Sequence, residues 1–129
     1  MILFSSALEL KLKKKIKMAN LILDAAKEKI FLMFIDDEIN YSVSHENSKI
    51  NCEKLIILIN EFLTKNNQTL DVIKKIYVNR GPGSFAGIRN SFSVTKALFY
   101  TKKIDYYCYS YSDFGKSVNI KHKEIPKMC

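Results

Sequence analysis

The sequence predicts an α/β fold of three layers, in which a mixed sheet carries helices on its faces. Three short apolar stretches near the start are joined by short turns. This predicts an antiparallel meander, because parallel neighbours need long connections. Two helical stretches then alternate with two further strands, as crossover connections do. The 129 residues, 47% of them hydrophobic, suffice for one domain with a buried core.

The meander is predicted at residues 20–26, 29–35 and 39–43. The first two stretches are apolar runs, as in buried strands, and the third alternates apolar and polar residues, as in a half-exposed strand. Residues 44–51 have the composition of a polar loop.

Residues 52–66 predict a helix, because their apolar residues recur at the helical period. One face is formed by Leu55, Leu58, Ile59 and Phe62, widened by Ile56 and Leu63, and Ile57 lies on the far side. Two interpretations stay open: the helix is buried within its own domain, or it offers a second packing surface.

A strand at 71–79, a helix at 84–100 and a strand at 104–113 complete the order βββ-α-β-α-β. Right-handed crossovers then place the later strands parallel to the first. This is the ribonuclease-H-like lobe of the actin, sugar-kinase and Hsp70 (ASKHA) architecture. The predicted lobe spans residues 18–113, and residues 114–129 form a polar, basic tail.

Residues 1–17 are predicted to be an extension before the lobe, or a start that is not native. Their five lysines follow the apolar residues instead of preceding them, which is not the pattern of a secretory signal. An alternative is a membrane-surface helix with Leu8, Leu12 and Ile16 on one face. With one acid, this segment supplies +4 of the formal net charge of +8, so the basic bias of the remainder is modest.

The cysteines stand at positions 52, 108 and 129, without CxxC spacing. We therefore expect neither a disulfide scaffold nor a zinc site, and a reducing cytoplasm fits best. The two histidines have no nearby set of metal ligands.

The stretch NRGPGSFAGIRNSF, residues 79–92, contains three of the four glycines. Gly81 and Gly83 permit a positive φ or a close backbone approach, and Pro82 stiffens the turn between them. Ser84 is a good helix N-cap, after which Phe85 begins an apolar stripe. The pattern predicts a sharp turn from a strand into a helix.

Known phosphate loops match this stretch poorly. A Walker loop requires a lysine and a hydroxyl after Gly87, and the dinucleotide pattern requires glycine where Ala86 stands. The helix N-terminus can still attract an anion, with Arg80 and Arg89 assisting. Ser84 is not a nucleophile, because the second glycine of a GxSxG elbow is displaced.

One broad side of the 84–100 helix carries mainly small side chains: Ala86, Gly87, Asn90, Ser93, Val94 and Ala97. A helix face with small side chains can pack closely either on the sheet of its own domain or on another protein. Together with the apolar 52–66 helix, this side favours a partner that docks against two adjacent helices.

The string YVNRGPGSFAGIRNSFSVTKALFY, residues 77–100, resembles the motif region of the bacterial TsaB (YeaZ) family, where a strand runs into GPGSFTGLR and a helix. The likeness extends from Met18 to Asp113, through NLILDAAKEKIFLMF and NCEKLIILINEFL. The matching motif residues are Arg80, Gly81, Pro82, Gly83, Ser84, Phe85, Gly87 and Arg89.

The resemblance implies a non-catalytic subunit of the machinery that makes N6-threonylcarbamoyladenosine (t6A) at position 37 of tRNAs. Such a subunit binds a catalytic TsaD-like protein, works with a TsaE-like ATPase, reaches tRNA through the complex, and can also form a homodimer. The resemblance also implies that the TsaD-like partner binds ATP and metal. It implies that this chain has no cofactor of its own and does not bind a membrane. On this chain the implied interface is Ile56, Ile57, Leu63, Asn90, Val94 and Ala97.

The sequence departs from the family pattern in several places. The Asp-Thr turn reads Asp24-Ala25-Ala26, Ala86 replaces the motif threonine, and Asn51 or Cys52 replaces a histidine. Members usually continue into a second lobe, and a cleft enzyme of this architecture needs both lobes. These departures imply a scaffold.

Two other functions stay open at this point. One is a small nucleotide-binding phosphotransfer or ATPase-type enzyme that uses Asp24 and the loop Gly81–Gly87. The other is RNA binding by the basic ends, with the aromatic strand at 104–113 stacking bases.

Overall fold

The computed structural model describes residues 18–110; the predictions for residues 1–17 and 111–129 lie outside this range. The chain begins with a meander of β1 (Ala19–Asp24), β2 (Lys29–Ile35) and β3 (Asn40–Glu46). β1 pairs antiparallel with β2, and β2 with β3, as predicted. β3 runs three residues into the predicted loop, because its pairing with β2 continues to the pair Lys29 and Glu46.

The predicted 52–66 helix is two helices, α1 (Lys49–Glu53) and α2 (Leu55–Lys65), separated at Lys54. α1 begins early because Ser48 caps it: its side chain accepts a 3.2 Å hydrogen bond from the N–H of Asn51. A 3₁₀ turn (Leu70–Val72) then leads into the next strand.

That strand is β4 (Ile73–Asn79), followed by α3 (Phe85–Lys102) and β5 (Asp105–Tyr109). The sheet order is β3-β2-β1-β4-β5, with β4 parallel to β1 and β5 parallel to β4. The predicted element order and mixed sheet are therefore confirmed. α3 continues two residues past the predicted end and closes at Lys103, which adopts a left-handed conformation.

The described helices lie on one face of the sheet. The main core cluster joins Leu21 and Leu23 of β1 to Ile59 and Phe62 of α2 and Leu98 of α3. The opposite face has a smaller cluster, which contains no residue of the described helices: Ile22, Tyr77 and Tyr109, with Met33, Ile35 and Tyr107 against them.

Topology explains this one-sided packing. Both crossovers, from β3 to β4 and from β4 to β5, move across the sheet in the same direction. Right-handed connections that move the same way place their helices on the same face. Within residues 18–110, the helices and the sheet therefore form two layers.

Cys52 on α1 is buried and free, whereas Cys108, buried on β5, is disulfide-bonded. The disulfide at Cys108 was not predicted from the sequence, because spatial approach and not sequence spacing decides which sulfurs meet. Among residues 18–110, no helix combines the length and apolar character needed to cross a membrane.

Candidate partner-binding site

The turn between β4 and α3 is sharp, as predicted. Gly81 has a φ of 98°, a conformation in which an L side chain is strained. Its N–H donates a 2.8 Å hydrogen bond to Oδ1 of Asn79, which closes the turn at the end of the strand.

Ser84 is the N-cap of α3, as predicted. Its hydroxyl accepts a 3.1 Å hydrogen bond from the N–H of Gly87. The backbone N–H of Ser84 donates in turn to the carbonyl of Ala26, at 2.7 Å. The donors of Ser84 and Gly87 are thus bound within the chain, so they are not available to a phosphate.

The glycines at 83 and 87 allow the β1–β2 turn to approach α3. A Cβ at Gly83 would overlap the carbonyl of Ala26, and one at Gly87 would overlap the carbonyl of Ala25. Part of the small side of α3 therefore serves internal packing. The motif loop and the turn after β1 form one packed unit.

Asn47, which sequence reasoning missed, ties this unit to α1. Its Nδ2 donates hydrogen bonds to the carbonyls of Ala25 (2.7 Å) and Lys27 (2.6 Å). Its Oδ1 accepts a 2.8 Å hydrogen bond from the thiol of Cys52. Only its place next to the cap residue Ser48 hinted at this role, since nothing else in the polar stretch distinguishes it.

Asp24 and Asn79 end the neighbouring parallel strands β1 and β4. Oδ1 of Asp24 accepts a 3.1 Å hydrogen bond from the N–H of Ala26, which holds the turn. Asn79 is fully buried, and its Nδ2 has no hydrogen-bond partner. At the carboxyl edge of the sheet, the side-chain amide of Asn79 is therefore left without a hydrogen-bond partner, at the end of the strand next to the one that ends in Asp24.

Two of the three tyrosines of β5 are buried in the protein. Tyr106 and Tyr109 are buried, and Tyr107 stacks on Tyr77 with ring centroids 5.4 Å apart. Lys75 lies 5.5 Å from the centre of the Tyr107 ring. Base stacking by Tyr106 or Tyr109 is therefore ruled out, because their rings already pack in the fold.

Five of the six predicted interface residues are at least partly exposed, and they divide into two groups. Ile57, at 51% exposure, Ile56 and Ala97 face solvent, whereas Asn90 is half-buried. Val94 is half-buried as well and packs partly on the main core.

The assignment of Leu63 to the interface is wrong. Its side chain is 2% exposed and belongs to the main core cluster, because α2 turns it toward the sheet. A partner of the folded lobe therefore has no access to it.

Other exposed apolar residues lie on α3 and on α1. Phe85 is 78% exposed at the start of α3, Tyr100 is 72% exposed near its end, and Ile50 on α1 is exposed too. α3 contacts both α1 and α2, and a groove between α1 and α3 is lined by Ser48, Lys49, Glu53, Phe85, Arg89 and Asn90 among others. We call the exposed residues of α1, α2 and α3 the helix surface.

Comparison with known proteins supports the resemblance. Residues 44–110 match the family model "TsaD: tRNA N6-adenosine threonylcarbamoyltransferase". The chain is 35% identical over 66 residues to "tRNA threonylcarbamoyladenosine biosynthesis protein TsaB" of Buchnera aphidicola subsp. Baizongia pistaciae (strain Bp), which covers 44% of this chain and 30% of that protein.

Two solved structures share the fold. "YeaZ from Pseudomonas aeruginosa" aligns with a TM-score of 0.66 at 20% identity, over 72% of this chain and 44% of that one. "T. thermophilus RuvC in complex with Holliday junction substrate" aligns with a TM-score of 0.52 at 9% identity, over 75% of this chain and 67% of that one.

These matches confirm both the resemblance to TsaB (YeaZ) and the ribonuclease-H-like fold class. The chain spans less than half the length of the TsaB and YeaZ proteins that it matches. The TsaD family model covers residues 44–110, more than half of the 129 residues. The chain therefore belongs to the family of tRNA N6-adenosine threonylcarbamoyltransferase TsaD, within which it is similar to TsaB.

Proposed function

We propose that this protein is a non-catalytic scaffold subunit of the complex that forms t6A at position 37 of tRNAs. Its helix surface binds a catalytic TsaD-like subunit. This chain meets a TsaE-like ATPase and tRNA only within the assembled complex, which works in the cytoplasm. ATP and metal belong to the TsaD-like subunit, and this chain contributes no cofactor.

The exposed apolar side chains of the helix surface carry this proposal. Ile57 and Phe85 are each more than half exposed, although both stand on helices whose other faces are well buried. Burying apolar surface contributes about 25 cal/mol per Å², so such residues favour a protein contact. Clusters of exposed apolar residues with a polar rim are typical of interaction sites.

The motif loop supports a structural role. The hydroxyl of Ser84 caps α3, and the N–H of Ser84 binds the β1–β2 turn. The glycines at 83 and 87 allow the same turn to approach closely. In this arrangement the loop positions α3, and α3 then presents its outer side to the partner.

Titration of this 129-residue chain with the purified TsaD-like protein of the same cell tests the proposal. Calorimetry and light scattering should show a saturable complex with one copy of each chain. Formation of t6A on a tRNA transcript should then require both proteins. The proposal is overturned if the two do not associate at tens of micromolar, or if t6A forms equally well without this chain.

The second candidate is a nucleotide-binding enzyme that uses Asp24 and the loop Gly81–Gly87. It is favoured by the unsatisfied Nδ2 of Asn79 at the carboxyl edge of the sheet, where open α/β sheets bind ligands. Calorimetry with magnesium and ATP separates the two functions. Binding and hydrolysis by the isolated chain, both lost on Asp24→Asn, would establish the enzyme; no heat of binding would exclude it.

A further inference from the structure

The sheet face opposite the helices is buried, although none of the described helices packs on it. Ile22 on β1, Tyr77 on β4 and Tyr109 on β5 are each exposed by 5% or less. Side chains on a sheet face point away from the sheet, so strand neighbours contact their sides and leave their outer ends in water. Tyr109 stands on the last strand of the described sheet and has a neighbouring strand on one side only. The burial of these rings therefore requires a cover other than the described helices.

Burial on this face increases toward the carboxyl ends of the parallel strands. At the amino end, the paired residues Lys75 and Asp105 are half-buried. At the carboxyl end, the paired residues Asn79 and Tyr109 are buried. Met18, which precedes β1 at the amino end, is 54% exposed. The cover therefore lies at the carboxyl end, away from the point where residues 1–17 join the sheet.

The chain leaves β5 at this same carboxyl end, through the buried Ser110. The sequence that follows, residues 111–129, is apolar at Tyr111, Phe114, Val118 and Ile120. At about 3.3 Å per residue, a segment of this length reaches about 60 Å when extended. Neighbouring strands are about 4.8 Å apart, so β1, β4 and β5 together are far narrower than this reach.

Cys108 connects the same segment to the other face of β5. It belongs to the main core cluster on the helix side, whereas Tyr107 and Tyr109 belong to the cluster on the opposite face. Cys108 is disulfide-bonded. The sequence contains three cysteines and Cys52 is free, so the partner left within this chain is Cys129.

We infer that residues 111–129 wrap around the edge strand β5. The segment covers Ile22, Tyr77 and Tyr109, crosses the edge of the sheet, and ends on the helix side at a disulfide between Cys108 and Cys129. Edge strands present backbone groups that pair readily with other chains, and the wrap closes this edge. The inference does not depend on the proposed function, since it rests on the burial of one face and the sulfur on the other.

The disulfide forms by exchange with a low-molecular-weight disulfide such as oxidised glutathione. The thiolate of Cys129 attacks this disulfide and releases one glutathione thiolate; the thiolate of Cys108 then attacks the sulfur of Cys129 and releases the second. Two protein thiols are thereby oxidised, one glutathione disulfide is reduced, and the two thiol protons end on the released glutathione molecules. Cys129 reacts first, because Cys108 is buried and a buried thiol is inert.

Thiol counting tests the disulfide. After incubation with oxidised glutathione and denaturation, the 129-residue chain should show one reactive thiol, at Cys52, and three after reduction. A non-reduced digest should contain one peptide pair, joined through Cys108 and Cys129. Three reactive thiols before reduction, or a bond from Cys52 to either of the others, would overturn the tether.

The double variant Phe114→Asp/Val118→Asp tests the cover, with Ser117→Asp/Asn119→Asp as the matched control. Both add two carboxylates to the same segment, but only the first removes apolar side chains. In the first variant, we expect the amide protons of β5 to exchange about tenfold faster, and in the control within about twofold of the wild type. The amide protons of β1 report whether the lobe stays folded. Unchanged exchange in β5 would refute the wrap.

Two other occupants of this face are separated by the same measurement. If Leu8→Asp/Leu12→Asp accelerates exchange in β5 and Phe114→Asp/Val118→Asp does not, residues 1–17 are the cover and the inference is wrong. If exchange in wild-type β5 accelerates on dilution as a dimer dissociates, a second copy is the cover, and the inference is wrong as well. Exchange that is independent of protein concentration and insensitive to Leu8→Asp/Leu12→Asp supports it.

Discussion

The backbone N–H of Ser84 donates a 2.7 Å hydrogen bond to the carbonyl oxygen of Ala26, 58 positions earlier in the chain. This bond joins the turn after β1 to the first turn of α3. It satisfies a donor that a helix N-terminus otherwise leaves open. Because the β1–β2 turn occupies this N–H group, the first role of the loop Gly81–Gly87 is to connect two parts of the fold.

Replacing Gly87 with alanine should destabilise the protein. In an exposed helix interior this change is favourable by about 1 kcal/mol. Here the new Cβ overlaps the carbonyl of Ala25. We expect a net loss of about 1–3 kcal/mol, as is usual for overpacking, measured by urea unfolding.

Ser93→Ala is the control for that change, because Ser93 is exposed on the same helix and bonds only the carbonyl of Arg89. It should leave stability within about 0.5 kcal/mol of the wild type. A Gly87→Ala variant more stable than the wild type would show that the turn does not press against α3.

Asn47→Ala should weaken the connection between the β1–β2 turn and α1. The variant loses two hydrogen bonds to backbone carbonyls and leaves the thiol of Cys52 without its acceptor. We expect a loss of about 1–3 kcal/mol in thermal or urea unfolding. Asn60→Ala, at an exposed position of α2, serves as the control, and equal stability of the two variants would contradict the bracing role of Asn47.

Introducing a charge at an exposed and at a buried position of α2 should have different effects on binding and on stability. Ile57→Asp places a carboxylate in solvent, so the protein should stay folded while binding to the TsaD-like protein is lost. Leu63→Asp buries an unpaired charge, which costs several kcal/mol, so the chain should unfold. Circular dichroism and calorimetry measure the two effects; full binding by a folded Ile57→Asp protein would exclude this side of α2 from the interface.

Thr95→Val should stabilise the protein. Thr95 is buried on α3 and its hydroxyl has no hydrogen-bond partner. Valine has nearly the same shape and removes the unsatisfied group, so we expect a gain of about 1 kcal/mol in the free energy of unfolding. Thr64→Val, on the exposed side of α2, should change stability little; a loss at position 95 would mean that the hydroxyl is satisfied in solution.

Local patterns predicted the strands and the motif turn well. β2 matches its prediction residue for residue, because an apolar run between polar turns marks a buried strand. The cap at Ser84 and the positive φ of Gly81 also follow from residue type alone. The break of the predicted 52–66 helix at Lys54 was not predicted, because its apolar period continues through that point.

By itself, the sequence determined the order of the elements, the pairing of the meander and the family, since these depend on neighbouring residues and on a contiguous motif. Only the tertiary structure decided that Leu63 is core, that Asn47 binds the β1–β2 turn, and that the described helices share one face of the sheet. These are contacts between distant parts of the chain. The reason is physical: a periodic pattern reports how apolar a side chain is, whereas burial and bonding depend on what the fold brings against it.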